Sequence, residues 1–269
     1  LIVTVDCGSL SHKEIARANE LGVDVIVTDH HNVADTPPPA IATINPKRKD
    51  HSYPFIDLAG VGVAFKLVQA LQTRLDGLPA GHEKWLLDLV ALGTVCDVVT
   101  LVDENRTNVY WGLQVLAKTR RQGLKALMAV AGVRPETVNA RSLGFGLGPR
   151  MNAAGRLETA RYAQDMLLET DPMEALRFAN QLDELNKKRR ADQDIIFKEA
   201  KLQAETLKDD PVLVAKAGTM ASLVSLRRNC SKSTKSRATS YNNLKTRPKV
   251  QPAVTVTLVQ LTQFVRPMI

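Results

Sequence analysis

Two apolar runs near the start of the chain end in chemically capable residues. Leu1-Ile-Val-Thr-Val5 leads into Asp6-Cys7-Gly8, and Val23-Asp-Val-Ile-Val-Thr28 leads into Asp29-His30-His31. Short runs rich in Val and Ile read as buried strands of a parallel sheet. Between them, Ile15, Ala18 and Leu21 share one face of a helix over 11–21, with Ser9 or Ser11 as N-cap and Gly22 beyond its last turn. A right-handed strand–helix–strand crossover brings both strand ends to one sheet edge. Asp6, Asp29, His30 and His31 then share the rim where open α/β sheets bind ligands.

The pattern continues with a short strand over 40–44, closed by Asn45-Pro46 and followed by a basic turn, Lys47-Arg48-Lys49, that reads as solvated. Gly60 opens an amphipathic helix reaching about Leu75. Its glycines permit close helix–sheet packing and leave N–H groups for an anion. Trp85 to Val95 reads as a buried helix running into Cys96-Asp97. Asn105–Lys118 and Leu124–Ala131 read as two more helices. The stretch 143–157 is rich in glycine, which predicts a flexible backbone able to approach a ligand closely. Arg150 and Arg156, with Asn152 between them, suit phosphate oxygens. Pro172 to Leu207 then forms one uninterrupted helical pattern, with Asp171 as N-cap and Pro172 at the first position. At 1.5 Å per residue it spans roughly 50 Å, the reach of a connector between domains. Its run Lys187-Lys188-Arg189-Arg190 reads as a solvated face.

Composition sharpens this picture in three ways. The 269 residues, 44% apolar, suffice for one large or two small domains, and there is neither an apolar run of membrane-spanning length nor a signal peptide. Cys7, Cys96 and Cys230 form no zinc or redox spacing, which fits a reducing, cytoplasmic setting. The net charge of +8 is unevenly placed. All 28 acidic residues and 26 of the 36 basic ones lie at or before Asp210, so residues 1–210 carry −2 and the last 59 carry +10. Nucleic-acid contact in the body must therefore come from local Arg and Lys groups. Leu1 is not a start residue, and the chain reads as a fragment.

Carboxylate and imidazole together on one rim suit a divalent transition metal, Mn²⁺ or Zn²⁺, better than Ca²⁺. Val-Thr-Val-Asp6-Cys-Gly followed by Val-Ile-Val-Thr-Asp29-His30-His31 resembles the DHH phosphoesterase superfamily. Gly148-Pro-Arg150-Met-Asn152-Ala-Ala-Gly-Arg156 resembles its RecJ-like branch of single-strand-specific exonucleases, and the likeness runs from Leu1 to about Val214. The resemblance implies an α/β fold: a parallel-sheet DHH domain over 1–170, lacking an N-terminal strand and its Asp-x-Asp motif, then a connector helix over 171–210. The second, DHHA1-like domain is essentially missing from 211–269. It implies 5′-to-3′ hydrolysis of phosphodiester bonds in single-stranded DNA, in repair and recombination, with two Mn²⁺ (or Mg²⁺) ions. Asp97, in Gly93-Thr-Val-Cys-Asp97-Val, holds the place of a ligand. By the same resemblance Asp6 bridges the ions, His30 and Asp97 complete the second, His31 faces the phosphate and Asp29 orients the imidazoles. Arg150, Asn152 and Arg156 meet the nucleic acid, and a single-strand-binding protein and a helicase are the implied partners. The fragment, short of ligands for the first ion, is expected to be inactive while its parent is a nuclease.

Two alternatives stay open: a phosphatase of the same superfamily acting on oligonucleotides or nucleotides, and a non-catalytic replication scaffold. Retention of Asp6, His30 and Asp97 together argues against the scaffold. From about Ala217 the chain departs from the family pattern, with no acidic residue and many Ser and Thr. Permitted codons for 217–229, regrouped by one base, give Trp-His-His-Gly-Val-Ile-Gly-Ile, which resembles the missing family segment. The tail reads as a frameshifted, disordered basic extension in preference to a true basic arm.

Overall fold

The computed structural model describes residues 1–50 and 52–206. The start of the second domain and the tail expected to be out of frame lie outside the described residues. The sheet has three parallel strands, β1 (Ile2–Val5), β2 (Val25–Thr28) and β3 (Ala42–Ile44), in the order β1-β2-β3. The register pairs Val5 with Thr28 and Thr28 with Ile44, so the three C-terminal ends align. The α/β class and the strand–helix–strand unit are as the apolar pattern predicts. Helix α1 (His12–Glu20) buries Ile15 against Val25 and Val27, with Ile2, Ala18 and Ala40 around them. Ser11 occupies the N-cap position without a side-chain cap. Ser9 is instead buried and serves the site.

Helix α2 (Gly60–Gln72) packs against β1 and β2, and α3 (Leu87–Cys96) packs against α2. Helix α3 buries Val90, Ala91, Leu92 and Thr94, and its first-turn Asp88 accepts a hydrogen bond from Thr119 and pairs with Arg121. Trp85 precedes α3 in a short 3₁₀ segment, His82–Leu86, and is covered by the Arg120 guanidinium 4.2 Å from its ring centre. Helices α4 (Asp103–Leu116) and α5 (Gln122–Val130) follow, with α4 laid along α3.

The glycine-rich stretch differs from expectation. It is helical throughout: one π-helical segment, Ser142–Leu147, runs directly into α6 (Gly148–Leu157). Glycine serves close packing here rather than flexibility, since a Cβ at Gly148 would overlap the Cys96 sulfur. The chain forms two compact units, one from Leu1 to Gly148 and one beginning at Pro149. In the second, α7 (Arg161–Leu168) packs on α8 (Pro172–Thr206). The Asp171 carboxylate accepts the N–H groups of Met173 and Glu174, as its capping position predicts. Ala175, Ala179, Leu182 and Leu185 form the buried side of α8. The basic run pairs within the helix, Lys187 with Asp183 and Glu184, and Arg189 with Asn186 and Gln193. Among the described residues, no helix is long and apolar enough to cross a membrane.

Ile15 is the one buried residue of α1. Ile15→Ala should therefore lower stability by roughly 2–5 kcal/mol, the usual cost of such a core truncation, measured by equilibrium urea unfolding. A loss below about 1 kcal/mol would mean that α1 is not packed on the sheet through this side chain.

Candidate metal centre

The register of β1 and β2 builds the site. The Asp6 N–H donates to the Thr28 carbonyl at 2.9 Å, extending the ladder by one residue. The backbone then turns sharply, with φ +63° at Asp6 and +114° at Gly8. The left-handed region costs an L-residue roughly 1–2 kcal/mol, and Asp tolerates it better than most. The turn brings the Asp6 carboxylate to the sheet edge beside Asp29-His30-His31.

Asp29 is the fixed point of that segment. Its Oδ1 accepts the N–H groups of His30 (2.7 Å) and His31 (3.1 Å) and the His31 Nδ1–H (2.8 Å), and its Oδ2 accepts the Ser9 N–H (2.9 Å). Burial alone would raise its pKa, but these hydrogen bonds outweigh burial and hold the carboxyl below its usual range. The ring contact is with His31 alone; Asp29 meets His30 through the backbone and does not orient both imidazoles. With Nδ1–H committed, neutral His31 keeps Nε2 as its lone-pair nitrogen.

His30 is nine-tenths buried, and its Nε2 lies 3.0 Å from Asp6 Oδ1 and 3.3 Å from Asp97 Oδ2. Asp97 follows the last residue of α3, and Val98 after it takes φ +63°. Although they are buried and close together, His30 Nε2 and Asp6 Oδ1 have no hydrogen-bond partner of acceptable geometry. Buried polar atoms are rarely left so, and a nitrogen and an oxygen converging in this way fit a positive charge between them, a proton or a metal cation. Ligand atoms of Asp6, His30 and His31 all lie within 4.8 Å of one another. The nearby Asp6 carboxylate raises the His30 pKa against the effect of burial, and Asp97 adds to the rise. Burial, and then the Asp6 charge, raises Asp97.

The sequence reading missed the residues that support this cluster. Lys47, assigned to a solvated turn, places its charge near enough to act on both His30 and Asp97. Asn45 is buried and donates to Ser9 Oγ and to the His31 carbonyl, while its Oδ1 accepts the Lys47 N–H. Its position at the end of the third strand, on the same sheet edge, was the available signal. Arg150, Asn152 and Arg156 lie on α6 in the second unit. The helix parts them: Arg150 donates to Asp183 at 2.8 Å, and Asn152 and Arg156 lie one turn apart on an exposed face.

Residues 1–94 match the DHH family, N-terminal domain. The chain is 43% identical over 220 residues to the single-stranded-DNA-specific exonuclease RecJ of Bacillus subtilis, covering 81% of this chain and 27% of that protein. It is 47% identical over 199 residues to the RecJ of Escherichia coli, covering 71% of this chain and 34% of that protein. Residues 1–94 thus belong to the DHH family, as its N-terminal domain. Among solved structures, the chain is similar to RecJ of Thermus thermophilus in complex with Mn²⁺. The TM-score is 0.75 at 33% identity, over 87% of this chain and 35% of that one. An exonuclease RecJ bound to manganese gives a TM-score of 0.72 at 33% identity, over 87% of this chain and 58% of that one. The chain thus spans about a third of the length of the curated relatives it matches.

In the metal-free protein His30 titrates above its ordinary 6.5, so the folded state binds its proton more tightly than the unfolded state does. That contribution to stability is complete below about pH 6.5 and is lost as pH rises through the raised value. A metal ion held by His30 would compete with the same proton, so Mn²⁺ affinity should rise over the same interval. Thermal melts and Mn²⁺ titrations across this range, with His30→Gln as reference, test both. Metal-free stability that climbs with pH relative to His30→Gln would contradict the arrangement.

Proposed function

We propose that this chain carries the catalytic site of a metal-dependent nuclease that hydrolyses phosphodiester bonds in single-stranded DNA from the 5′ end. The observation that carries the reading is the convergence of Asp6, His30 and Asp97, with His30 Nε2 and Asp6 Oδ1 buried and lacking hydrogen-bond partners. Similarity to RecJ proteins, solved in Mn²⁺ and Mg²⁺ complexes, supports the choice of substrate and ion.

Asp6, His30 and Asp97 would hold Mn²⁺ or Mg²⁺. Mixed carboxylate and imidazole donors suit Mn²⁺. When bound, the ions supply Lewis acidity at the phosphate and lower the pKa of the attacking water. The protein's part is positional. His31, held by Asp29 through Nδ1, presents Nε2 to the phosphate. Lys47 contributes positive charge at the same rim. Arg150, Asn152 and Arg156 contact the strand, with the Arg150 guanidinium steadied by Asp183. The phosphoesterase domain is assigned to 1–170, the connector to 171–210, and 211–269 to the start of a DHHA1-like domain followed by the tail. A role in DNA repair and recombination, and partnership with a single-strand-binding protein and a helicase, belong to the same reading.

The decisive experiment is a graft. Placed in the Escherichia coli relative in exchange for its matching residues, the part of this chain that aligns with it should support Mn²⁺- or Mg²⁺-dependent degradation of long single strands but not of duplexes. In the same graft Asp6→Ala should cost more than the roughly 10–100-fold typical of residues that merely support a ligand. Near-normal activity of the Asp6→Ala graft would end the assignment. Cleavage restricted to very short oligonucleotides would favour the phosphatase alternative.

The nucleic-acid contacts make a separate prediction. Replacing Arg150 or Arg156 by Ala should weaken binding to all single-strand sequences alike. The slope of log affinity against log salt should fall by up to about 0.7 for each phosphate no longer neutralised. Unchanged affinity and slope would return both residues to structural roles in the second unit.

A further inference from the structure

A buried amide outside the ligand set ties together two pieces of the metal centre. Asn105, in the first turn of α4, is completely buried. Its Oδ1 accepts the Ala59 N–H at 3.1 Å, and its Nδ2 donates to the carbonyls of Asp57 at 2.7 Å and Thr100 at 3.1 Å. Both amide protons are thus engaged with backbone from two different loops. Each loop leads to a carboxylate of the site. Ala59 immediately precedes α2, and Gly60, the first residue of that helix, has no room for a side chain. A Cβ there would overlap the Asp6 carboxylate, lying 2.8 Å from its Cγ and 3.0 Å from its Cβ. Thr100 stands three residues beyond Asp97, past the left-handed Val98. The neighbouring Glu104 fastens the same end of α4 to Lys66 of α2 and to Tyr53.

We propose that Asn105 is a positioning residue of the metal centre. It sets the separation of Asp6 and Asp97 by holding the wall behind the first and the loop of the second to one point on α4. This rests on the reading of Asp6, His30 and Asp97 as metal ligands. An apolar side chain at this position would leave an N–H and two carbonyls without these partners in the interior, a costly loss for any fold. The amide joins segments that approach the site from different elements, and its removal lets those segments move independently.

The test is a set of Mn²⁺ titrations by calorimetry on the purified wild-type chain, Asn105→Ala, Asn105→Asp and Leu127→Ala. The last truncates a buried side chain of α5 that is not part of the clamp. Asn105→Asp keeps the acceptor for Ala59 and loses the donors to Asp57 and Thr100, so it frees the Thr100 loop while one of the two bonds to the loop before α2 remains. Both Asn105 variants should lose Mn²⁺ affinity by roughly 10–100-fold, and Leu127→Ala should bind as wild type. Wild-type affinity in the Asn105 variants overturns the proposal. So does an equal loss in Leu127→Ala, which would assign the effect to fold stability. A wild-type chain that takes up no Mn²⁺ defeats the metal-centre reading, and this inference with it, in a way visible before any variant is compared. If the Asn105 variants do not fold, hydrogen exchange on the wild type decides. Mn²⁺ should slow exchange of the Ala59 amide, and unchanged exchange refutes the coupling.

Discussion

Asp6 and Asp97 approach the same nitrogen of His30, one from the end of β1 and the other from the end of α3. Their charges repel, and neither would stay there on side-chain preference alone. The sheet register fixes Asp6 beside the Asp29-His30-His31 segment. The close seat of α2 at Gly60 stops the Asp6 carboxylate from retreating, and the α3–α4 pair carries Asp97 from the other side. Asp29 is already occupied by Ser9 and His31, so it does not compete for His30. What remains is a pocket of unbalanced negative charge around one imidazole, which a proton or a cation resolves.

The part of this that was legible in the sequence is the part written in short-range pattern. Apolar runs ending in Asp6 and Asp29 gave two parallel strands, and their crossover gave the shared edge. The uninterrupted stretch after Asp171 gave α8 almost to the residue. Asp97 was located by resemblance rather than by pattern, since a lone carboxylate at a helix end says nothing of its neighbours. The close packing at Gly60 was legible, whereas Asn45, Lys47 and Asn105 were not legible as site residues. Each acts through contacts between segments distant in the chain, and no local period encodes such contacts. The stretch 142–157 failed for a different reason. Glycines that permit close helix packing and glycines that loosen a loop look the same in sequence, and only the Cys96 sulfur beside Gly148 tells them apart.

Residues recognised by one motif can also divide once folded. Arg150, Asn152 and Arg156 suggested a fork around one anion, a geometry available to a loop. On a helix, positions two and six residues apart point in different directions. Arg150 turns to Asp183, and Asn152 and Arg156 remain together on the exposed face. A strand contacting both faces would be tracked along its length rather than gripped at a single phosphate.

Val98 has a bearing on how such a protein changes over generations. A β-branched residue is held in the left-handed region next to Asp97, where glycine would sit without strain. Replacement by glycine removes that strain but also frees the backbone that aims the carboxylate. Selection for heat resistance alone would therefore favour glycine here, at the expense of a fixed Asp97 carboxylate. Position 98 is thus a place where durability and the rigidity of the candidate site pull the lineage in opposite directions.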